Sequence, residues 1–154
     1  MLKDSDGAPE VILMGTGSEV QYCVTAQEQL AAEGIAARVV SMPCREWFDE
    51  QDQSYKDSVI PPAVRARVSI EAGVEAGWRD LVGDAGRIIG IEHYGASAAG
   101  ALLFQEFGFT AATVAAAAKE SLQAATLHDA PVHAAASGPK GPADLEAHPG
   151  VTIS

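Results

Sequence analysis

From residue 10 to about residue 124 the hydrophobic pattern switches regularly between two periods. Val11-Ile12-Leu13-Met14 is a continuous apolar run closed by Gly15, the pattern of a strand buried on both faces. Ser18 opens a helix, with Gln21 three positions later completing a capping box. Val20, Cys23, Val24, Gln27, Leu30 and Ala31 share one face of that helix, and only Gln27 interrupts its apolar character. Gly34 supplies a left-handed cap. Ala37–Ser41 reads as a second strand, ended by Pro43. An acidic and aromatic helical stretch runs from Glu46 to about Ser58 and stops at Pro61-Pro62. Arg67–Glu71 and Arg87–Ile91 are the third and fourth strands, and a short helix between them carries Trp78, Leu81 and Val82. Ser97 starts a helix to about Phe107, Gly108 breaks it, and Thr110 caps a last alanine-rich helix to about Leu122.

Strands alternating with helices imply right-handed crossovers and a mostly parallel sheet covered on both faces, a three-layer α/β/α domain. Ligands of such sheets bind beyond the carboxyl ends of the strands. Here those ends are Gly15-Thr16-Gly17-Ser18, Met42-Pro43-Cys44, Ala72-Gly73 and Glu92-His93-Tyr94-Gly95. The pattern fades after residue 124. Residues 125–154 hold Pro131, Pro139, Pro142 and Pro149 and few large apolar residues, so they read as a flexible Pro/Ala/Gly-rich tail behind the 1–124 domain. His128, His133 and His148 in that tail lack the i, i+4 spacing of a zinc pair.

Composition narrows the partners. The chain of 154 residues carries 10 Lys+Arg against 21 Asp+Glu, a net charge of −11. A nucleic-acid partner requires a basic face, and an anionic membrane surface would repel this balance. No apolar run approaches the roughly 20 residues that span a bilayer, and the first residues form no apolar signal segment. Two cysteines, Cys23 and Cys44, are too few for a disulfide framework. A reduced, cytoplasmic protein is expected.

Each candidate motif has a plainer reading beside it. Gly15, Thr16, Gly17 and Ser18, after a strand and before a helix, present backbone amides to an anion. The third glycine of a dinucleotide fingerprint is absent, since Val20 stands there, and Glu19 satisfies the helix dipole without a ligand. Gly95-Ala96-Ser97-Ala98 is half a nucleophile elbow, but the pattern fails at Ala99 and Ser97 serves as a helix cap. Cys44 has acidic neighbours, Glu46 and Asp49, which do not favour a thiolate. His93 and Glu71 sit at strand ends where catalytic groups collect, though neither has an evident partner. Trp47, Phe48 and Tyr55 fall on one face of their helical stretch, for core packing or for an interdomain contact.

Taken in order, several short segments resemble the C-terminal domain of transketolase. They are Gly15-Thr-Gly-Ser-Glu19, Val39-Val-Ser-Met-Pro43, Phe48-Asp-Glu-Gln51 with Tyr55, Ser58-Val-Ile-Pro61, Ile70-Glu-Ala-Gly73 with Gly77-Trp78, Tyr94-Gly-Ala-Ser-Ala98 and Phe107-Gly-Phe-Thr110. The likeness runs through residues 7–124, with Tyr94 and Ala99 departing from the usual family pattern, and the tail has no counterpart in it. The resemblance implies a five-stranded sheet with one antiparallel edge strand, of which only Leu2-Lys3-Asp4 remains; Met1 then reads as an artificial start or one created by a split gene. It also implies a homodimeric enzyme of three α/β domains that moves a two-carbon ketol unit from a ketose phosphate to an aldose phosphate in the pentose phosphate pathway. Thiamine diphosphate and a divalent cation (Mg or Ca) would be held by the N-terminal and middle domains. No catalytic, cofactor or metal residue is therefore expected in this chain. Its expected role is interdomain packing and dimer support, with Trp47, Phe48 and Trp78 as packing candidates and Gly15, Thr16, Gly17, Ser18 and His93 as the place for an anion or effector. The rivals are a free-standing anion- or nucleotide-sensing domain and the C-terminal domain of another thiamine diphosphate enzyme.

Overall fold

The computed structural model describes residues 1–91 and 99–129. Four strands form one sheet: β1 (Val11–Gly15), β2 (Ala37–Ser41), β3 (Ala66–Ile70) and β4 (Arg87–Ile89), in the order β2-β1-β3-β4 and all parallel. In register, Leu13 of β1 lies between Val39 and Val68. The expected fifth, antiparallel strand survives as a single bridge on the outer edge of β2. Lys3 and Val39 exchange both backbone hydrogen bonds there, at 3.2 and 2.8 Å. The helices are α1 (Val20–Ala32), α2 (Arg45–Asp49), α3 (Gln53–Val59), α4 (Arg79–Val82), α5 (Gly100–Glu106) and α6 (Ala111–Asp129).

The run Val11–Met14 is continuously apolar because both faces of β1 are covered. Val11 and Leu13, with Val39, Val68 and Ile70, pack against Cys23, Ala26 and Leu30 of α1 and Val114, Ala115 and Ala118 of α6. Ile12 and Met14, with Val40, pack against Phe48, Val59, Trp78 and Val82 on the other side. A side chain of this size is worth about 1.5–3 kcal/mol when fully buried, so the two clusters carry the fold. The alanines of α6 allow that helix to lie close to both α1 and the sheet. Ser121 fixes its height by accepting from the Arg67 N–H at 2.9 Å and donating to the Ala85 carbonyl at 2.8 Å.

Several local expectations change. The Ser18–Gln21 capping box does not form: Gly17–Glu19 is a turn of 3₁₀ helix, and the Gln21 amide donates instead to the Ser18 carbonyl. The Glu46–Ser58 stretch is two helices, because Asp52 leaves helical geometry and caps α3 through the Tyr55 N–H at 2.8 Å. Likewise the Trp78 segment divides into a 3₁₀ turn (Glu75–Trp78) and α4. β4 stops at Ile89, and Ile91 donates to Gly73 rather than to β3. α6 continues to Asp129 instead of ending near Leu122, since no proline interrupts the stretch from Ala111 before Pro131. Gly34 does cap α1: at φ +80° it lets the Gly34 and Ile35 N–H groups reach the Ala31 and Leu30 carbonyls, both at 3.0 Å. Thr110 caps α6 through the Thr113 N–H at 3.1 Å. Ser97 and His93, and the tail from residue 130 with His133 and His148, lie outside the described residues.

Candidate functional site: the carboxyl ends of β1 and β3

Chain order reverses between β1 and β3, since β2 is added on one side of β1 and β3 on the other. In open parallel sheets that reversal leaves a crevice at the carboxyl ends. A cleft of about 430 Å³ opens there, lined by Thr16, Met42, Cys44, Arg45, Glu71 and Trp78.

Its centre is acidic and internally bonded. Glu71 extends one residue beyond β3, accepting from the Thr16 hydroxyl at 3.3 Å and from the Trp78 indole N–H at 2.7 Å. Glu19 is buried, 7% exposed, although it carries a charge. Its carboxylate accepts from the Ala72 N–H at 3.0 Å and from the Ser18 hydroxyl at 2.9 Å. The turn Gly15–Ser18 thus has a carboxylate from its own chain seated beside it. A free anion docking there would meet that charge, and the anion-sensing alternative finds no support. On the rim, Arg45 donates to Asp49 at 3.0 Å, to the Gly77 carbonyl at 2.8 Å and to Asp80. The Asp80 carboxylate, followed by that of Asp49, raises the pKa of the guanidinium, and Arg45 holds Asp80 below the ordinary carboxylate range. The Cys44 thiol donates to Glu46 at 3.3 Å.

The aromatic candidates separate. Phe48 and Trp78 are spent inside this domain, 8% and 5% exposed, within the cluster beneath the cleft. Trp47 is 68% exposed and, with Tyr55 and Met1, borders a second groove along the outer side of β2. Sequence reasoning placed Glu19 in the first turn of a helix as a dipole partner. It missed that the side chain spans to Ala72, because a contact across 53 residues leaves no periodic trace. Arg45 was missed for the same reason. Among the described residues no group of three or more His, Cys, Asp or Glu side chains could hold a metal ion, and no helix is long and apolar enough to cross a membrane.

These features define an open, parallel three-layer α/β domain with an acidic, self-bonded cleft at its topological switch point. A family model described as the transketolase-like C-terminal domain matches residues 1–110. Over 114 residues the chain is 60% identical to transketolase of Mycobacterium tuberculosis (strain ATCC 25618 / H37Rv), covering 74% of this chain and 16% of that protein. It is 53% identical over 122 residues to transketolase 1 of Escherichia coli (strain K12), covering 79% and 18%. Among solved structures, transketolase from Leishmania mexicana superposes with a TM-score of 0.72 at 34% identity, over 78% of this chain and 17% of that one. A structure described as an inactive beta4 tetramer of a split gene transketolase shares the fold, with a TM-score of 0.58 at 22% identity over 79% and 41% of the two chains. The chain belongs to the transketolase C-terminal domain family. It spans only 16–18% of the length of these two curated relatives.

Proposed function

We propose that this domain is the non-catalytic C-terminal part of a transketolase that transfers two-carbon ketol units from ketose phosphates to aldose phosphates. It packs on the N-terminal and middle domains of a cytoplasmic homodimer. The supporting observation is that the carboxylates of the one crevice where such a sheet gathers chemistry already serve the domain's own donors. Thiamine diphosphate and its divalent cation do not fit these residues. A diphosphate needs converging amides or cationic side chains, whereas Glu19 takes the Ala72 amide and Arg45 is held by Asp49 and Asp80. When bound elsewhere in the enzyme the coenzyme supplies carbanion stabilisation; this chain contributes surface. Trp47 is an exposed aromatic side chain suited to that contact.

The test adds the 154-residue chain to a transketolase lacking its third domain and follows ketol transfer from xylulose 5-phosphate to ribose 5-phosphate. Association and a higher rate are expected, with Trp47→Ala weakening association by about 1–2 kcal/mol, on the scale of an aromatic interface residue. Turnover by the chain alone, tight uptake of thiamine diphosphate by it, or failure to associate overturns the reading.

A further inference from the structure

Residues 5–9 join the Lys3–Val39 bridge to β1 and belong to no helix or strand. They contain Asp6-Gly7, the one Asp–Gly pair in a sequence that has no asparagine. An aspartate before a glycine can cyclise, because the following amide nitrogen reaches the side-chain Cγ without a Cβ in its way. Whether it does so in a folded chain depends on what holds the two groups.

Asp6 and Gly7 are both exposed. Among the described residues the Asp6 carboxylate accepts no hydrogen bond and pairs with no cation, and the Gly7 N–H has no acceptor. Gly7 sits at φ +91°, and nothing lies within 4 Å of where its Cβ would stand, so the backbone has room to turn that nitrogen onto Cγ. Asp4, two residues earlier and followed by Ser5, is the internal contrast. Its carboxylate accepts from Arg38 Nε at 2.8 Å and Nη2 at 3.2 Å, and its carbonyl accepts from Gln27 Nε2 at 3.0 Å. The Ser5 N–H donates to Asp4 Oδ1 at 2.9 Å, so that amide offers the carboxylate its proton instead of the face of its nitrogen.

We propose that Asp6 is a site of spontaneous modification, isomerising to isoaspartate in the folded chain while Asp4 is protected. The Gly7 nitrogen forms a bond to Cγ of the protonated Asp6 carboxyl; the carboxyl's hydroxyl and the proton of that nitrogen depart together as water, leaving a five-membered succinimide. Water then adds to either ring carbonyl. Opening at Cγ restores aspartate, whereas opening at the main-chain carbonyl routes the backbone through Cγ and frees the α-carboxylate. Mass and oxidation state are unchanged. The backbone gains one methylene, about 1.5 Å of contour, between the edge bridge on β2 and the start of β1.

The test incubates the full chain near neutral pH, folded and in concentrated urea. Isoaspartate is followed by electron-transfer fragmentation of the N-terminal peptide and by methyl transfer from S-adenosylmethionine with an isoaspartyl O-methyltransferase. Position 6 of the folded chain is expected to convert within about three-fold of its unfolded rate, as where local opening costs almost nothing. Folding should slow position 4 by about ten-fold or more, the scale of a hydrogen bond to a charged group. Asp6→Glu keeps the charge at an exposed position but requires a slower six-membered closure, so the methyl-accepting signal of the folded chain should be lost. Absence of isoaspartate at position 6 of the folded chain, equal slowing of positions 4 and 6 by folding, or an undiminished signal in Asp6→Glu overturns the inference.

Discussion

The Trp78 indole N–H donates to Glu71 Oε2 at 2.7 Å, joining the residue just beyond β3 to the 3₁₀ turn that leads into α4. Trp78 is at once a core residue beneath the sheet and the donor that orients the carboxylate in the cleft. Its ring fills the apolar cluster while its one polar atom is satisfied at the polar boundary.

Trp78→Phe should keep most of the packing and remove the donor. A charge-assisted bond of this kind is worth about 1.5–3 kcal/mol. A urea midpoint lowered by an equivalent amount, with an unchanged far-ultraviolet spectrum, is expected. A double-mutant cycle with Glu71→Gln should show coupling between the two positions, and additivity would remove Glu71 as the partner that matters.

Gly34→Ala places a Cβ at φ +80° in the cap of α1. No neighbour obstructs that atom, so the penalty is one of backbone conformation alone, about 1–2 kcal/mol. Thermal unfolding should register it. An unaltered Tm would mean that the cap can open into another geometry without loss.

Arg38 holds the Asp4 carboxyl below its ordinary value, chiefly through the hydrogen bond from its guanidinium. A depressed folded-state pKa contributes stability that is complete above the unfolded value, near pH 4, and is lost as pH falls through the folded value. The stability difference between the wild type and Asp4→Asn should therefore be present at about pH 6 and shrink toward about pH 3. A difference that grows on acidification would reverse the assignment. Arg38 itself keeps the Ser58 carbonyl, at 2.7 Å, in both proteins.

Burial pushes the Cys23 thiol up to about 12, so it carries almost no thiolate near neutral pH. A thiol reagent at about pH 8 should label one cysteine of the native chain, Cys44, and both after unfolding. Rapid native labelling of Cys23 would require α1 to leave the sheet.

The strands were legible in the chain because continuous apolar runs such as Val11–Met14 belong to doubly covered β-structure. The α1 cap at Gly34 and the α6 cap at Thr110 were legible for a related reason: each involves residues within a few positions. The 3₁₀ turn at Gly17–Glu19 and the split at Asp52 were not, since a residue that can cap a helix also tolerates its interior until packing decides. Of the strand-end residues, Thr16 and Glu71 line the cleft, whereas its charge was not foreseen. Gln27 had a trace, as the single polar residue on the buried face of α1, without any indication of what it bonds.

By itself the order of residues determined the class of fold, the parallel pairing and the two-sided core, because hydrophobic period and turn chemistry act over a few residues. Which carboxylates face one another, that Trp78 lies inside and Trp47 outside, and that Lys3 still bridges to Val39 were decided by tertiary structure. Those relations join residues tens of positions apart, and only the closing of the sheet and its two helical layers brings their atoms within hydrogen-bonding distance.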